Sequence, residues 1–365
     1  MNKVIIYYGS KEKFNRIIPK EYRDLVYESD KDGKTMKLVI PNQNGEYPKE
    51  EKEEKIFVKN FVISSDEYAG VREHVITNFI NFLAKFNVEN LYIQNPPLQI
   101  SEQIIRLYPK AEVKYQKYKQ LTTSHLLKIN EEYDNKIIGQ EDVKLELLQA
   151  LFPLTLRYRK KPVVLLFYGK SGIGKTETAK YLAKVIGEPI FRKQFSMYQN
   201  NQFATYLFGG AHYEKSFAKD LLDRKSNVLL LDEFDKAHPS FHSAFYQLFD
   251  EGIYEDQNYY LTLKKSIIIC TSNYTDLKDI EENLGSAIYN RFDKIIHFDD
   301  LSVESKIRIG QIAFEKYEKN FNYHLDETTK QRLKESYIQC DNVRQIHHII
   351  ENTFALSTIL SKVKK

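Results

Sequence analysis

Residues 163–177 read VVLLFYGKSGIGKTE: an unbroken apolar run, a glycine-rich loop, then the first residues of a helix-forming stretch that continues to Val185. Strand, glycine loop and helix in that order are what a phosphate-binding loop requires. The glycines let successive backbone N–H groups face an anion without Cβ interference. The helix that follows aims the positive end of its dipole at the same point. Gly169, Lys170, Ser171, Gly172, Ile173, Gly174, Lys175, Thr176 and Glu177 are therefore the expected nucleotide-binding residues. Lys175 is expected to reach the β- and γ-phosphates, and the Thr176 hydroxyl to ligate Mg²⁺.

A second stretch, VLLLDEFDKAHP at residues 228–239, has the same logic. Four apolar residues make a buried strand, and Asp232 and Glu233 emerge at its carboxyl end. Ligands of open parallel sheets sit at that end, so both acids are expected to face the nucleotide. Asp232 suits a Mg²⁺ shell, because hard cations take carboxylate oxygens. Glu233 suits the general base that polarises the attacking water. Ser266–Thr271 repeats the buried run and exits at Asn273, which is placed to contact the γ-phosphate or the water. Arg291, in the stretch 290–293 before a further strand (294–298), is a candidate to reach a neighbouring subunit's nucleotide. Arg344, near the start of the last helix, is placed to swing toward the nucleotide of its own chain.

The chain has 365 residues and a formal charge of +4, with lysines spread along its length. The length suggests two or three domains. The charge gives no reason to expect a nucleic-acid partner. Cys270 and Cys340 are too few and too far apart for a disulfide framework or a zinc site. No stretch is long enough to span a bilayer or to serve as a signal peptide, so the expectation is a cytoplasmic protein without a membrane partner.

Residues 1–120 read as a small α/β domain with strands at 3–8, 56–63, 88–93 and 111–115, and helices within 66–86 and 99–107. Its sheet is expected to be partly parallel. The charged run 47–55 reads as a solvated loop or hairpin tip. Residues 121–135 read as a linker passing into a helix, 136–299 as a phosphate-loop subdomain and 300–365 as a helical lid of about four helices.

The pattern from Ile137 to Arg344 resembles the AAA+ ATPases, and within them the second ATPase module of Clp-type unfoldases and disaggregases. The closest match is the stretch 230–239 followed by Phe249-Asp250-Glu251-Gly252. Ile138-Gly139-Gln140 looks like the family's box before the phosphate loop, which implies Ile137 and Ile138 as further nucleotide-binding residues. Thr271-Ser272-Asn273 resembles sensor 1, Asn290-Arg291-Phe292-Asp293 the arginine-finger box, and Asn342-Val343-Arg344 sensor 2. The resemblance implies an α/β AAA+ module, a parallel sheet flanked by helices with a helical lid, using ATP and Mg²⁺. It further implies a homo-oligomeric ring, usually a hexamer, in which Glu233, Asn273, Arg291 and Arg344 act on ATP, Arg291 in trans. It does not extend over the first 120 residues, which are expected to select a protein client.

Two departures qualify the resemblance. The family's threading loop, Gly-Tyr-Val-Gly, is replaced by the shorter Leu207-Phe208-Gly209-Gly210-Ala211-His212-Tyr213-Glu214. The peptidase-docking loop has no counterpart between Asn273 and Arg291, so a Clp peptidase is not an expected partner. The reading is an ATP-driven remodeller of a protein partner. The alternatives are a nucleotide-dependent switch or scaffold that does not thread polypeptide, and a DNA-acting loader or regulator.

Overall fold

The computed structural model describes residues 1–34, 55–197 and 202–363; the charged run 47–55, apart from Lys55, lies outside them. Among the described residues the strands are β1 (Lys3–Tyr8), β2 (Arg23–Asp24), β3 (Ile56–Ile63), β4 (Phe86–Gln94), β5 (Glu112–Tyr115), β6 (Val163–Tyr168), β7 (Phe191–Gln194), β8 (Val228–Asp232), β9 (Ile253–Glu255), β10 (Tyr260–Thr262), β11 (Ile267–Thr271) and β12 (Lys294–His297). They fall into two compact units. One gathers Met1–Tyr118 with Asn200–Lys225 and Ile253–Thr262; the other gathers Lys119–Gln199, Ser226–Gly252 and Leu263–Lys365.

The first unit holds a sheet in the order β2-β3-β4-β1-β5. Every pairing in it is parallel, where the sequence suggested only a partly parallel sheet. Both faces are covered, as parallel sheets require. Val4, Ile6, Phe61, Ile63, Leu91 and Ile93 pack with the following helices on one face, and Ile5, Tyr7, Val62 and Tyr92 with Phe14 on the other. The helical region 66–86 is not one helix. It breaks into a 3₁₀ turn (Glu67–Gly70) and short helices Glu73–Thr77 and Phe79–Leu83, with Asn78 at φ −117°, ψ 44° between them. That break lets Val75 and Ile76 on one segment and Phe79, Phe82 and Leu83 on the next all reach the same core. The antiparallel β9–β10 hairpin also belongs to this unit.

The second unit is built on the parallel sheet β12-β6-β11-β8-β7. All six residues of β6 and all five of β8 and of β11 are buried. At about 1.5–3 kcal/mol per fully buried large apolar side chain, these three strands contribute substantially to its stability. Residues 121–135, expected as a linker passing into a helix, are helical from Thr123 to Lys136. Leu126, Ile129 and Tyr133 of that helix are buried in the same core as Val163, Leu165 and Phe167. Among the described residues the lid has three helices rather than about four: Val303–Phe321, Glu327–Ile338 and Val343–Val363. They close around Ile309, Ala313, Leu333, Tyr337, Ile346, Ile350 and Phe354. Among the described residues no helix is long and apolar enough to cross a membrane.

Candidate active site

The loop after β6 turns sharply because Gly169 lies at φ 128°, where a Cβ would meet the Phe298 carbonyl oxygen at 2.4 Å. Only glycine fits there. Gly174, at φ 120°, caps the helix Lys175–Ile186, so the loop closes onto that helix's amino terminus. Lys175 is buried, and its ammonium donates to the Lys170 carbonyl (2.7 Å), to Asn273 Oδ1 (3.2 Å) and to the Gly169 carbonyl. Burial lowers its pKa to about 8, with the Arg344 charge acting the same way and Asp235 and Asp232 opposing.

This shift has a sign that can be tested. Between pH 8 and the unfolded value near 10.5 the unfolded chain holds the proton and the folded chain has lost it. Folding stability therefore rises with pH across that window, relative to a lysine of unshifted pKa. Phosphate oxygens favour the charged amine, so nucleotide binding above pH 8 must take up a proton. The affinity for a non-hydrolysable ATP analogue is expected to weaken by up to about tenfold per pH unit above 8. Calorimetry in two buffers of different ionisation heat would show the proton uptake; a flat affinity from pH 7 to 9.5 would refute it.

At the end of β8 the two acids are held by different neighbours. Asp232 Oδ1 accepts from Thr271 Oγ1 (2.6 Å) and lies 3.4 Å from the Thr176 hydroxyl. Its Oδ2 accepts from Arg192 Nε at 2.9 Å and from Arg192 Nη2. Glu233 is left-handed, at φ 55°, one of the few non-glycine residues in that region. Such a conformation costs about 1–3 kcal/mol and persists only where neighbours impose it. Here Thr271 Oγ1 accepts the Glu233 N–H (2.9 Å), and Gln194 Nε2 donates to Glu233 Oε2 (3.1 Å).

Thr271 thus bridges both acids: its one hydroxyl donates to the first and accepts from the second. Hydrogen bonds to charged groups contribute about 1.5–3 kcal/mol. Thr271→Val, close in volume but without the hydroxyl, is expected to lower ATP turnover by about 10- to 100-fold. Steady-state phosphate release would measure it, and unchanged turnover would show that the bridge is dispensable.

Strand β11 lies between β6 and β8, with Thr271 beside Phe167 and Cys270 beside Leu231. This order puts Asn273 between the phosphate loop and the acids, where it accepts from Lys175. Asp235 follows on the next turn; its Oδ1 is buried and has no hydrogen-bond partner. Gln140 pins the loop from the other side, donating to the Ile173 carbonyl (3.2 Å) and the Asp299 carbonyl (2.9 Å). Ile137 is buried in the sheet core, while Ile138 packs against the lid.

The lid is tied to the loop directly. The Val343 N–H donates to the Gly172 carbonyl at 3.0 Å, and a Cβ on Gly172 would meet Asn342 Cβ at 3.1 Å. The next residue, Arg344, is solvent-exposed, and its charge is felt at Lys175.

The side chains of the remaining candidates make no contact with this cluster among the described residues. Lys170 pairs with Asp300, Ser171 is exposed, and Glu177 pairs with Lys180 on the helix surface. Arg291 donates through Nε to Asp250 (2.8 Å) and through Nη1 to the Ala287 carbonyl, with its guanidinium 4.2 Å from the Tyr246 ring centroid. Sequence reasoning assigned no role to Arg192, Gln194 or Asp235. Cross-strand register carries the first two, since Gln194 lies opposite Asp232.

The donor set fits a nucleoside triphosphate. The loop has backbone that only glycine can adopt, one buried ammonium and an adjoining helix amino terminus. Among the described residues no group of three or more His, Cys, Asp or Glu side chains could hold a metal unaided. A hydroxyl and a carboxylate oxygen 3.4 Å apart instead suit an ion whose other ligands are phosphate and water, as Mg²⁺ prefers.

Residues 160–338 match the family described as AAA domain (Cdc48 subfamily). The chain is similar to the chaperone protein ClpB of Malacoplasma penetrans, 29% identical over 215 residues that cover 52% of this chain and 30% of that protein. It is similar to the ATP-dependent Clp protease ATP-binding subunit ClpE of Streptococcus pneumoniae, 28% identical over 273 residues, covering 64% of this chain and 36% of that one. The chain spans about a third of the length of these curated relatives. Among solved structures, the closed state of Hsp104 with ATPγS and FITC casein shares the fold. Its TM-score is 0.55 at 20% identity, covering 83% of this chain and 61% of that one.

Proposed function

Since the chain carries an AAA+ ATPase module of the Clp type, we propose that it hydrolyses ATP as a ring-forming oligomer, a hexamer as in its family, to remodel a protein partner chosen by its N-terminal unit. The observation that carries this reading is the convergence of Lys175, Thr176, Asp232, Glu233 and Asn273 at the carboxyl ends of three adjacent parallel strands.

Lys175 binds the β- and γ-phosphates, releasing the loop carbonyls it now contacts. Thr176 and Asp232 would hold Mg²⁺, which when bound neutralises charge on the phosphates. Glu233 accepts the proton of the water whose oxygen attacks the γ-phosphorus, and the bond to the β-phosphate oxygen breaks to leave ADP. Asn273 orients the water or the γ-phosphate. Arg192 holds the outer oxygen of Asp232 and so keeps the inner one turned toward Thr176.

A second reading, a nucleotide-dependent switch that does not thread polypeptide, is favoured by one observation: the segment 207–214 is anchored, with buried His212 bonded through Nε2 to the Val71 carbonyl at 3.0 Å. Sedimentation with and without ATPγS, together with an ATP-dependent unfolding assay on a tagged substrate, tests both. ATP-dependent assembly with unfolding supports the remodeller, and assembly alone supports the switch. A monomer without turnover overturns both.

A further inference from the structure

Residues 203–225 contain the segment that corresponds to a threading loop, and they belong to the first compact unit. They are bound first to the β9–β10 hairpin. The Tyr254 hydroxyl donates to the Leu207 carbonyl (2.6 Å), the Gln257 N–H to Phe208 (3.0 Å) and Asn258 Nδ2 to Gly210 (2.8 Å). Gly209, at φ 83°, approaches so closely that a Cβ would meet the Gln257 nitrogen at 2.9 Å. This glycine serves close packing against the hairpin.

Hairpin and segment are then bound to the loops that follow β1, β3, β4 and β5. The Leu98 N–H donates to the Asn258 carbonyl (2.8 Å), and His212 meets Val71. The Lys11 N–H donates to Asp223 Oδ1 (2.6 Å), and Lys225 pairs with Glu12 (2.8 Å). Tyr118 OH donates to the Arg224 carbonyl (3.3 Å) while the Arg224 guanidinium stacks 4.1 Å from its ring centroid. The carboxyl edge of an open parallel sheet is where such folds take a ligand. Here that edge takes a segment of its own chain.

We propose that residues 203–225, with the hairpin, are the resident partner of the first sheet's carboxyl edge: a fixed strap that passes nucleotide-driven movement into the N-terminal unit, and not a loop that swings to grip polypeptide. The proposal rests on the reading of the module as an ATPase. The chain passes between the units after residues 118, 199, 225, 252 and 262, so strap and hairpin are each joined covalently to the ATPase unit. Tyr213 is 61% exposed but follows the anchored His212, whose ring it meets at 5.5 Å, so it moves only with the sheet.

A Leu98→Cys, Asn258→Cys pair tests this. A 2.8 Å backbone hydrogen bond joins these two residues, so their backbones lie side by side, and the native Cys270 and Cys340 are both buried. The oxidised protein is expected to hydrolyse ATP within about twofold of its reduced form, the range of a neutral substitution. Turnover lost on oxidation and regained on reduction would overturn the strap. Hydrogen exchange on the unsubstituted chain gives an independent measure: the Lys11, Leu98 and Gln257 amides should stay equally protected with ATPγS and with ADP. Protection lost in either state would overturn the proposal. A wild-type chain with no turnover would instead refute the ATPase reading, and the exchange data would still judge the strap.

Discussion

Glu233→Gln is expected to bind ATP as the wild type does and to hydrolyse it about 10² to 10⁴ times more slowly, the usual worth of a positioned general base. The substitution preserves shape and leaves the loop, Lys175 and Asp232 in place, so the groups that hold the phosphates are unaffected. What is lost is the ability to accept the proton of the attacking water. The left-handed backbone of Glu233 supports this role, because its neighbours hold it in a conformation that local sequence would not choose. Single-turnover phosphate release, alongside equilibrium binding of a fluorescent ATP, separates the two effects. Wild-type turnover in this variant would remove Glu233 from the chemistry. The same variant held in ATP should retain a client on pull-down.

Arg291→Ala is expected to lower turnover by about 10³ to 10⁵, the range for an arginine that stabilises charge on a transferring phosphoryl group. Its guanidinium is held by Asp250, the Ala287 carbonyl and Tyr246, none of them part of its own chain's phosphate cluster. Action in trans predicts that mixing Arg291→Ala with Glu233→Gln subunits restores part of the turnover. Some interfaces then pair an intact base with an intact arginine. No restoration at any mixing ratio would place the arginine's effect within its own chain. Asp250→Asn should weaken turnover less than Arg291→Ala, because it loosens the guanidinium without removing it.

The phosphate loop, the acids after β8 and Asn273 after β11 were legible because each follows a run of apolar residues that can only be a buried strand. Burial of such a run fixes where it ends, and its end is where polar chemistry can emerge. Thr271, Arg192 and Gln194 were not assigned roles because those roles depend on strand order. Nothing local to Thr271 says that β11 inserts between β6 and β8, or that Gln194 falls opposite Asp232. The helix into which the 121–135 linker was expected to pass occupies nearly all of that stretch, which its sparse apolar positions did not make plain. Leu126, Ile129 and Tyr133 fall on one helical face, and only the packed core reveals that this face is buried. The helix expected across 66–86 carried a sound apolar period but not the break at Asn78, which tertiary packing imposes. Gly209-Gly210 read as the remnant of a loop; its close fit to the hairpin is a long-range contact that sequence spacing cannot express.

The hydrogen bond from the Val343 amide to the Gly172 carbonyl joins the last helix to the glycine loop after β6 through a single peptide. No side chain intervenes, so substitution cannot tune that link as it tunes a salt bridge. Rotation of the lid either carries the loop with it or breaks this bond. If the loop holds nucleotide as proposed, release of ADP is expected to follow the same coordinate that moves the lid, as an escapement lets a wheel advance only when its tooth is released.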